Sequence, residues 1–270
     1  MIARNLFALA LMALATAPAR ADDYFSPTDE RVRISLGAMH VSSTTTLRAD
    51  PSTGLPGTQI DAENTFGLDK SDFEPKFQAM VRVSKRQRLS FDYFTLDRTG
   101  NTVVTSNALV FRNVVLQPGD PLQSKLSLRT FGITYGYSFW HSETLEIAAT
   151  LGVHPTDISA MARVQSPTRH IIQTEDQAGP VPTVGIDATW VASKRFYFDG
   201  RAQYLKVNLN HLVGSLGFYE FDALYRYRPN VFFAVGYTSV RAHLASTQTS
   251  QAGLFNFSAK GPAMFFRVAF

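Results

Sequence analysis

The sequence predicts an all-β chain closed into an antiparallel transmembrane barrel of about ten strands, with eight or twelve as alternative counts. Three observations lead there. A short apolar leader opens the chain, alternation with period two dominates it from residue 31 onward, and short turns alternate with long connections.

The leader comes first. Arg4 precedes an apolar stretch from Leu6 to Ala15, and Ala19-Arg20-Ala21 fits the small-x-small cleavage rule. Residues 1–21 are therefore expected to leave as a signal peptide, with 22–270 forming one barrel domain. The apolar run is too short for a spanning helix, and no later stretch approaches the roughly twenty apolar residues one needs. The chain has 26 Lys and Arg against 22 Asp and Glu. Without Arg4 and Arg20 the basic count is 24, a net charge of +2. That small surplus, with no basic run on any one element, argues against a nucleic-acid partner. Cysteine is absent, which removes disulfides and thiolate metal sites; an exported chain permits disulfides without requiring them. At 45% hydrophobic and 18% charged, the chain is too apolar to stay disordered.

Alternation supplies the strands. Phe131, Ile133, Tyr135, Tyr137 and Phe139 share one face, opposed to Thr130, Gly132, Thr134, Gly136 and Ser138. Leu145, Ile147, Ala149, Leu151 and Val153 oppose Glu146, Ala148, Thr150, Gly152 and His154. Tyr219, Phe221, Ala223, Tyr225 and Tyr227 oppose Phe218, Glu220, Asp222, Leu224 and Arg226, with Phe218 and Leu224 as exceptions. A soluble sandwich would bury the apolar face and solvate the other. Gly and Ala recur on the polar face, however, and aromatics gather towards strand ends as in the girdles of a lipid-facing barrel.

Turns set the order. Short connections fall at 84–87, 140–144, 192–195 and 227–230, and longer ones at 49–72, 99–124, 159–182, 208–215 and 246–259. Short periplasmic turns and long outer loops alternate in this way in outer-membrane barrels. The strands are expected near 31–48, 73–84, 87–98, 125–139, 144–158, 182–192, 195–207, 215–227, 230–245 and 260–270. Segment 58–68 is expected to extend the second strand and pair with Thr44 to Arg48, and 103–116 to form β structure within its connection.

The chain ends Gly261-Pro262-Ala263-Met264-Phe265-Phe266-Arg267-Val268-Ala269-Phe270. Phe270, with Val268, Phe266 and Met264 alternating before it, resembles the terminal strand of bacterial outer-membrane proteins, which the barrel-assembly machinery reads in that class. More narrowly, the chain resembles a group of small Gram-negative outer-membrane barrels without an assigned activity. The resemblance rests on Arg88 to Arg98 (RLSFDYFTLDR), Gly136 to Trp140 (GYSFW) and Leu145 to Val153 (LEIAATLGV), and covers most of 31–270. It implies a fold and an address in the outer membrane, and no reaction.

Under this register a set of ionic residues projects into the lumen: Arg33, Lys76, Arg82, Arg88, Asp92, Glu146, Asp187, Asp199, Arg201, Glu220, Asp222, Arg226 and Arg267. Seven are basic and six acidic, so no field of one sign lines a path, and a barrel of this size is nearly filled by side chains. An ion-paired plug is favoured, with Arg201 and Asp199 expected to pair with Glu220, Asp222 and Arg226 on the next strand.

Catalytic signals are weak. His141-Ser142-Glu143 has suitable residue types but sits in a tight turn; His154 with Asp157 and Ser159 is placed near the outer rim; His170, Glu175 and Asp176 share the third long connection and are loosely spaced for a cation. His40, His211 and His243 fall at rims or loops. No catalytic, cofactor or metal site is assigned. Arg48, Lys70, Arg98, Arg112, Lys125, Arg129 and Arg163 lie at or beyond the outer rim, where they could pair with lipopolysaccharide phosphates. The expectation is a non-enzymatic envelope structural or surface-interaction protein. Its partners would be outer-membrane lipid, lipopolysaccharide, and the secretion and barrel-assembly machinery. A narrow solute channel and a rim-sited enzyme acting on lipid or peptide are the alternatives.

Overall fold

A computed structural model describes residues 26–51, 55–105, 108–111, 114–165, 170–209, 212–246 and 252–270. The leader, His211 and Arg112 lie outside the described residues. Ten long strands form the wall: β1 (Val32–Ala49), β2 (Ser71–Ser84), β3 (Gln87–Val103), β4 (Pro121–His141), β5 (Leu145–Gln165), β6 (His170–Val191), β7 (Phe196–Leu209), β8 (Leu212–Arg228), β9 (Val231–Ser246) and β10 (Gly253–Ala269). Each pairs antiparallel with its chain neighbours, and β10 returns to β1 from Arg33↔Ala269 up to Ala49↔Gly253. The ring is closed.

Several strands outrun the sequence boundaries. The stretch 159–182, expected to be a loop, is a continuous ladder from Ser159↔Asp176 to Gln165↔His170. Its Gly179, Pro180 and Pro182 imitate a turn signature. Segment 58–68 does not extend β2: only Ile60–Asp61 pairs with β1, at Leu47 and Thr46, and a helical turn, α1 (Ala62–Thr65), follows. The Asp61 side chain caps that turn by accepting from Asn64 N–H at 2.9 Å. In the next connection, Leu109–Phe111 and Val114–Leu116 form a separate two-stranded ribbon. Neither piece enters the wall, so the count stays at ten.

The strands change character along their length. Near the short turns, large side chains face out: Phe131, Ile133, Tyr135, Tyr137 and Phe139 of β4 are exposed while Gly132, Thr134, Gly136 and Ser138 are buried. Those nine residues match the roughly 9–11 that a tilted strand needs to cross the hydrocarbon. Higher up the same strand the pattern inverts, with Leu122, Leu126 and Leu128 buried inside and Gln123, Lys125 and Arg129 outside. In β5 the switch falls at Thr156, above which Ile158, Ala160, Ala162 and Val164 turn inward. In β1 it falls near Met39, with Val41 and Leu47 inside. The lower storey is therefore built for lipid outside, and the upper storey for water outside.

Apolar side chains from the connections complete the upper storey. Ile60, Ala62, Phe66 and Leu68, together with Val104 and Leu116, pack against Leu47, Leu122, Leu126 and Val164 in one buried cluster. A second cluster below it joins Met39, Val41, Leu96, Leu128 and Phe257.

Candidate functional site: the lumen

The lower mouth is closed by the segment preceding β1, a feature the sequence reading did not anticipate. Ser26 accepts from Thr28 N–H to cap a short 3₁₀ turn, Pro27–Asp29. The Ser26 hydroxyl also donates to the Glu143 carbonyl in the β4–β5 turn at 2.6 Å. Ser26, Thr28 and Glu30 are all buried. Glu30 binds the Arg33 guanidinium at 2.6 Å, and its carbonyl accepts from Arg82 at 3.0 Å. Glu30 thus adds a seventh acid to the seven cations and six acids of the lumen.

Above this cork, four carboxylate centres organise the interior. Glu146 is fully buried: Arg82 donates to it at 2.8 and 2.9 Å, Arg88 reaches it at 2.9 Å, and the Ser138 hydroxyl donates as well. Asp199 takes Arg267 at 2.5 Å, Arg33 at 3.4 Å and the Thr189 hydroxyl at 2.8 Å. Glu220 takes Lys76 at 2.6 Å and the Gln78 amide at 3.0 Å, with Asp222 lying 3.9 Å from Lys76. Asp187 holds Arg201 at 3.2 Å and Arg88 at 3.5 Å, while Asp92 lies 3.7 Å from Arg201. Arg226 is buried with its guanidinium 5.1 Å from the centre of the Phe232 ring.

Most of these pairs span the lumen, which corrects the expectation of pairing across adjacent strands. Arg201 lies in register with Glu220 on β8 but pairs with its other register partner, Asp187 on the adjacent β6, whereas Glu220 turns across the lumen to Lys76 on β2. In the other pairs long Arg and Lys stems reach past their neighbours to strands two to four positions around the ring. The remaining cavity among Arg33, Gln78, Arg88, Asp187, Glu220 and Arg267 measures about 50 Å³, room for a few waters.

Glycines make that reach possible. Gly132 is the register partner of Asp92 and Gly236 that of Asp222. A Cβ at either position would collide with the carboxylate that lies across it. The recurrence of glycine on the polar face reflects this seating of acids.

Among the described residues the upper storey holds one fully buried ion pair, and it corrects a placement. Arg98 was expected at the outer rim but is 1% exposed. It donates to Glu63 of α1 at 2.6 Å, to the Thr45 hydroxyl at 2.9 Å and to the Asp69 carbonyl at 2.7 Å. The folded-in connection between β1 and β2 is thereby latched to β1 and β3. Of the other rim cations, Arg48 pairs with Asp50 at 2.8 Å and Lys70 donates to Asn64 at 3.1 Å. Lys125, Arg129 and Arg163 sit on the outward face of β4 and β5 above the apolar belt.

The three catalytic candidates come apart. His141 bonds Asp29 at 3.2 Å, and the Ser142 hydroxyl is engaged within its own turn with Leu145. His154 was expected at the outer rim but points inward, buried, with Nδ1 3.8 Å from Asp92, while Asp157 and Ser159 face outward on the same strand. His170 lies at the tip of β6, with Glu175 and Asp176 further along the same strand. Of the other histidines, His40 packs against Phe73 and His243 bonds Asn256.

On the terminal strand, Met264 is 71% exposed and Phe266 and Phe270 are half-buried. Val268 shares their outward parity but is buried between its register partners Ile34 and Val231. Phe270 closes the ring, its carbonyl accepting from Arg31 and Val32 N–H and its N–H donating to the Val32 carbonyl.

No protein-family model and no curated protein match this chain. Among solved structures it is similar to the outer membrane protease OmpT from Escherichia coli, with 13% identity, a TM-score of 0.61, and coverage of 93% of this chain and 100% of that one. The Pseudomonas putida toluene transporter TodX (8% identity, TM-score 0.35, 96% and 93% covered) and Ail of Yersinia pestis (9%, 0.34, 87% and 99%) align more loosely. At such identities the likeness speaks for the fold alone. Together with a closed wall and an apolar exterior of membrane height, the chain is a bacterial outer-membrane β-barrel.

Proposed function

We propose that the protein is a non-enzymatic structural and surface-interaction component of the outer membrane, with a lumen that does not conduct. The observation that carries this reading is the stack of three closures along one axis. Residues 26–30 cork the lower mouth, cross-lumen ion pairs fill the middle, and folded-in connections pack an apolar interior above. A solute path would have to break buried ion pairs, each costing several kcal/mol to leave unpartnered. What remains for interaction is the upper storey. Arg129 stands on its outer face just above the belt, with Lys125 and Arg163 higher on the same face, suited to lipopolysaccharide phosphates.

Planar-bilayer recording of the intact protein tests the reading. The expected result is no steady conductance at modest voltage. Stable ohmic channels whose ion selectivity changes in Asp222→Ala would replace it with the channel reading.

A further inference from the structure

We infer that the upper part of β6 is an open docking edge that takes an extended polypeptide segment as an added strand. The β6–β7 ladder runs from Tyr197↔Val191 only to Tyr204↔Val184. Beyond that, β6 continues to His170 paired with β5, and β7 continues to Leu209 paired with β8. Among the described residues, neither edge takes a further strand partner.

Proline determines where the seam parts and which way the free groups point. The β4–β5 register lacks the rungs Phe131–Pro155 and Gly132–His154, the two that need an N–H from residue 155. The ring nitrogen of Pro155 therefore faces β4. In an antiparallel pair, opposed residues point their backbone groups the same way relative to their common seam, both towards it or both away. Pro180, the register partner of Pro155 on β6, therefore turns its nitrogen away from β5, as does Pro182 two residues on. The unbroken β5–β6 ladder through both prolines agrees. Pro182 is where β6 would next donate to β7, and it has no proton to give.

The same parity places the N–H groups of Thr174, Asp176 and Ala178 on the open side, together with their carbonyls and those of Pro180 and Pro182. On the facing edge, Lys206 and Asn208 present theirs. Pro180 lies opposite Pro155, at the level where β5 changes from lipid-facing to water-facing. Below this level an unpaired donor in hydrocarbon would be costly, and there prolines stand. Above it the edge is in water and long, and its backbone above Pro180 carries no further proline. From residue 170 to 179 it spans about 30 Å at 3.3 Å per residue.

The occupant is an extended segment of another polypeptide, matched by backbone and by charge. Its outward side chains would meet Asp176, with Asp157 beside it across the β5–β6 ladder, at the top, and Lys206 at the bottom. A cation towards the upper end and an anion towards the lower end therefore fit. This gives the surface-interaction part of the proposed function a location. It does not depend on whether the lumen conducts.

The test uses the full mature chain in detergent micelles and a short synthetic peptide alternating valine and threonine, with glutamate at its N-terminal end and lysine at its C-terminal end. In the free protein the amides of Thr174, Asp176 and Ala178 should exchange with solvent rapidly, while amides of the β5–β6 ladder are protected. Adding the peptide should protect those three. Ala178→Pro, whose nitrogen faces the open side, should leave the β5–β6 ladder protected and weaken binding about ten-fold, the order expected for one lost backbone bond. The same peptide N-methylated on alternate residues should fail to bind the unaltered protein. Unchanged protection on adding peptide, equal binding by Ala178→Pro, or equal binding of the N-methylated peptide would overturn the inference. So would protection of the three amides in free protein of doubled mass, which would mean that a second copy covers the edge.

Discussion

Glu146→Ala is the sharpest test of the ion-paired interior. Glu146 is fully buried and receives Arg82 twice, Arg88 once and the Ser138 hydroxyl. Removing it strips Arg82 of its acid and leaves Arg88 with Asp187 alone, at 3.5 Å. Breaking a buried pair from one side costs about 3–5 kcal/mol, because a charge stays behind without compensation. At about 2–4 °C per kcal/mol for a chain of this size, the melting midpoint should fall by roughly 6–20 °C. Barrels in detergent unfold irreversibly, so the measurement is the temperature at which the compact electrophoretic band converts to the extended one after a fixed heating time. Adding Arg82→Leu to Glu146→Ala should recover part of the loss by withdrawing the orphaned cation. A fall under about 2 °C for the single variant, or strictly additive damage in the double, would refute the claim that these charges hold one another in place.

Three further outcomes follow from the same structure. Ile133→Arg should cost about 2–4 kcal/mol on the lipid face, read as loss of the compact band; Thr134→Arg faces the lumen beside Gln203 and should be penalised only by crowding, so the opposite order would contradict the register. Glu63→Gln should loosen the β1–β2 connection by leaving Arg98 without its acid, seen as faster proteolytic cleavage between residues 50 and 70 with the wall intact; unchanged cleavage would remove the latch. Phe270→Asp should impair insertion, because the terminal strand loses its apolar end and places a new charge beside the Arg31 and Val32 closure; normal recovery in the outer-membrane fraction would contradict this.

Much of the wall was legible because its side chains obey a period of two against a single apolar solvent. Phe131 to Phe139 alternate without a break, and the four short turns fall where the sequence places them. The upper storey was harder to read because its alternation has the opposite sign. Leu122, Leu126 and Leu128 are even-numbered and Phe131, Ile133 and Tyr135 odd, and the strands expected over 125–139 and 144–158 stop short of the observed Pro121 and Gln165. The inversion is nonetheless visible in the residues, and a search for a parity change within a run would have found it at Arg129–Thr130 and Pro155–Thr156. Two other features left no periodic trace. The cork at 26–30 is too short to show a period, and Glu30 carries no signal of its partner Arg33 beyond a spacing of three. Cross-lumen pairing depends on barrel diameter, which strand-by-strand reading does not contain.

The parity change also explains why the molecule uses two kinds of interior. In the lipid belt, burying a leucine in the lumen gains little, since the hydrocarbon outside is equally apolar. Ionic groups are excluded from that exterior, so they collect inside, where each must find a partner. Paired charges across the ring then tie strands such as β2 and β8 that share no backbone bond, through contacts with direction and length. Above the belt the solvent is water and the hydrophobic effect returns, so the same strands turn leucine and valine inward and the buried Arg98–Glu63 pair helps seat a connection. A strand that crosses from one solvent to the other must change parity where it crosses. The height of that change, at Thr130 on β4 and Thr156 on β5, marks the upper surface of the membrane on the protein.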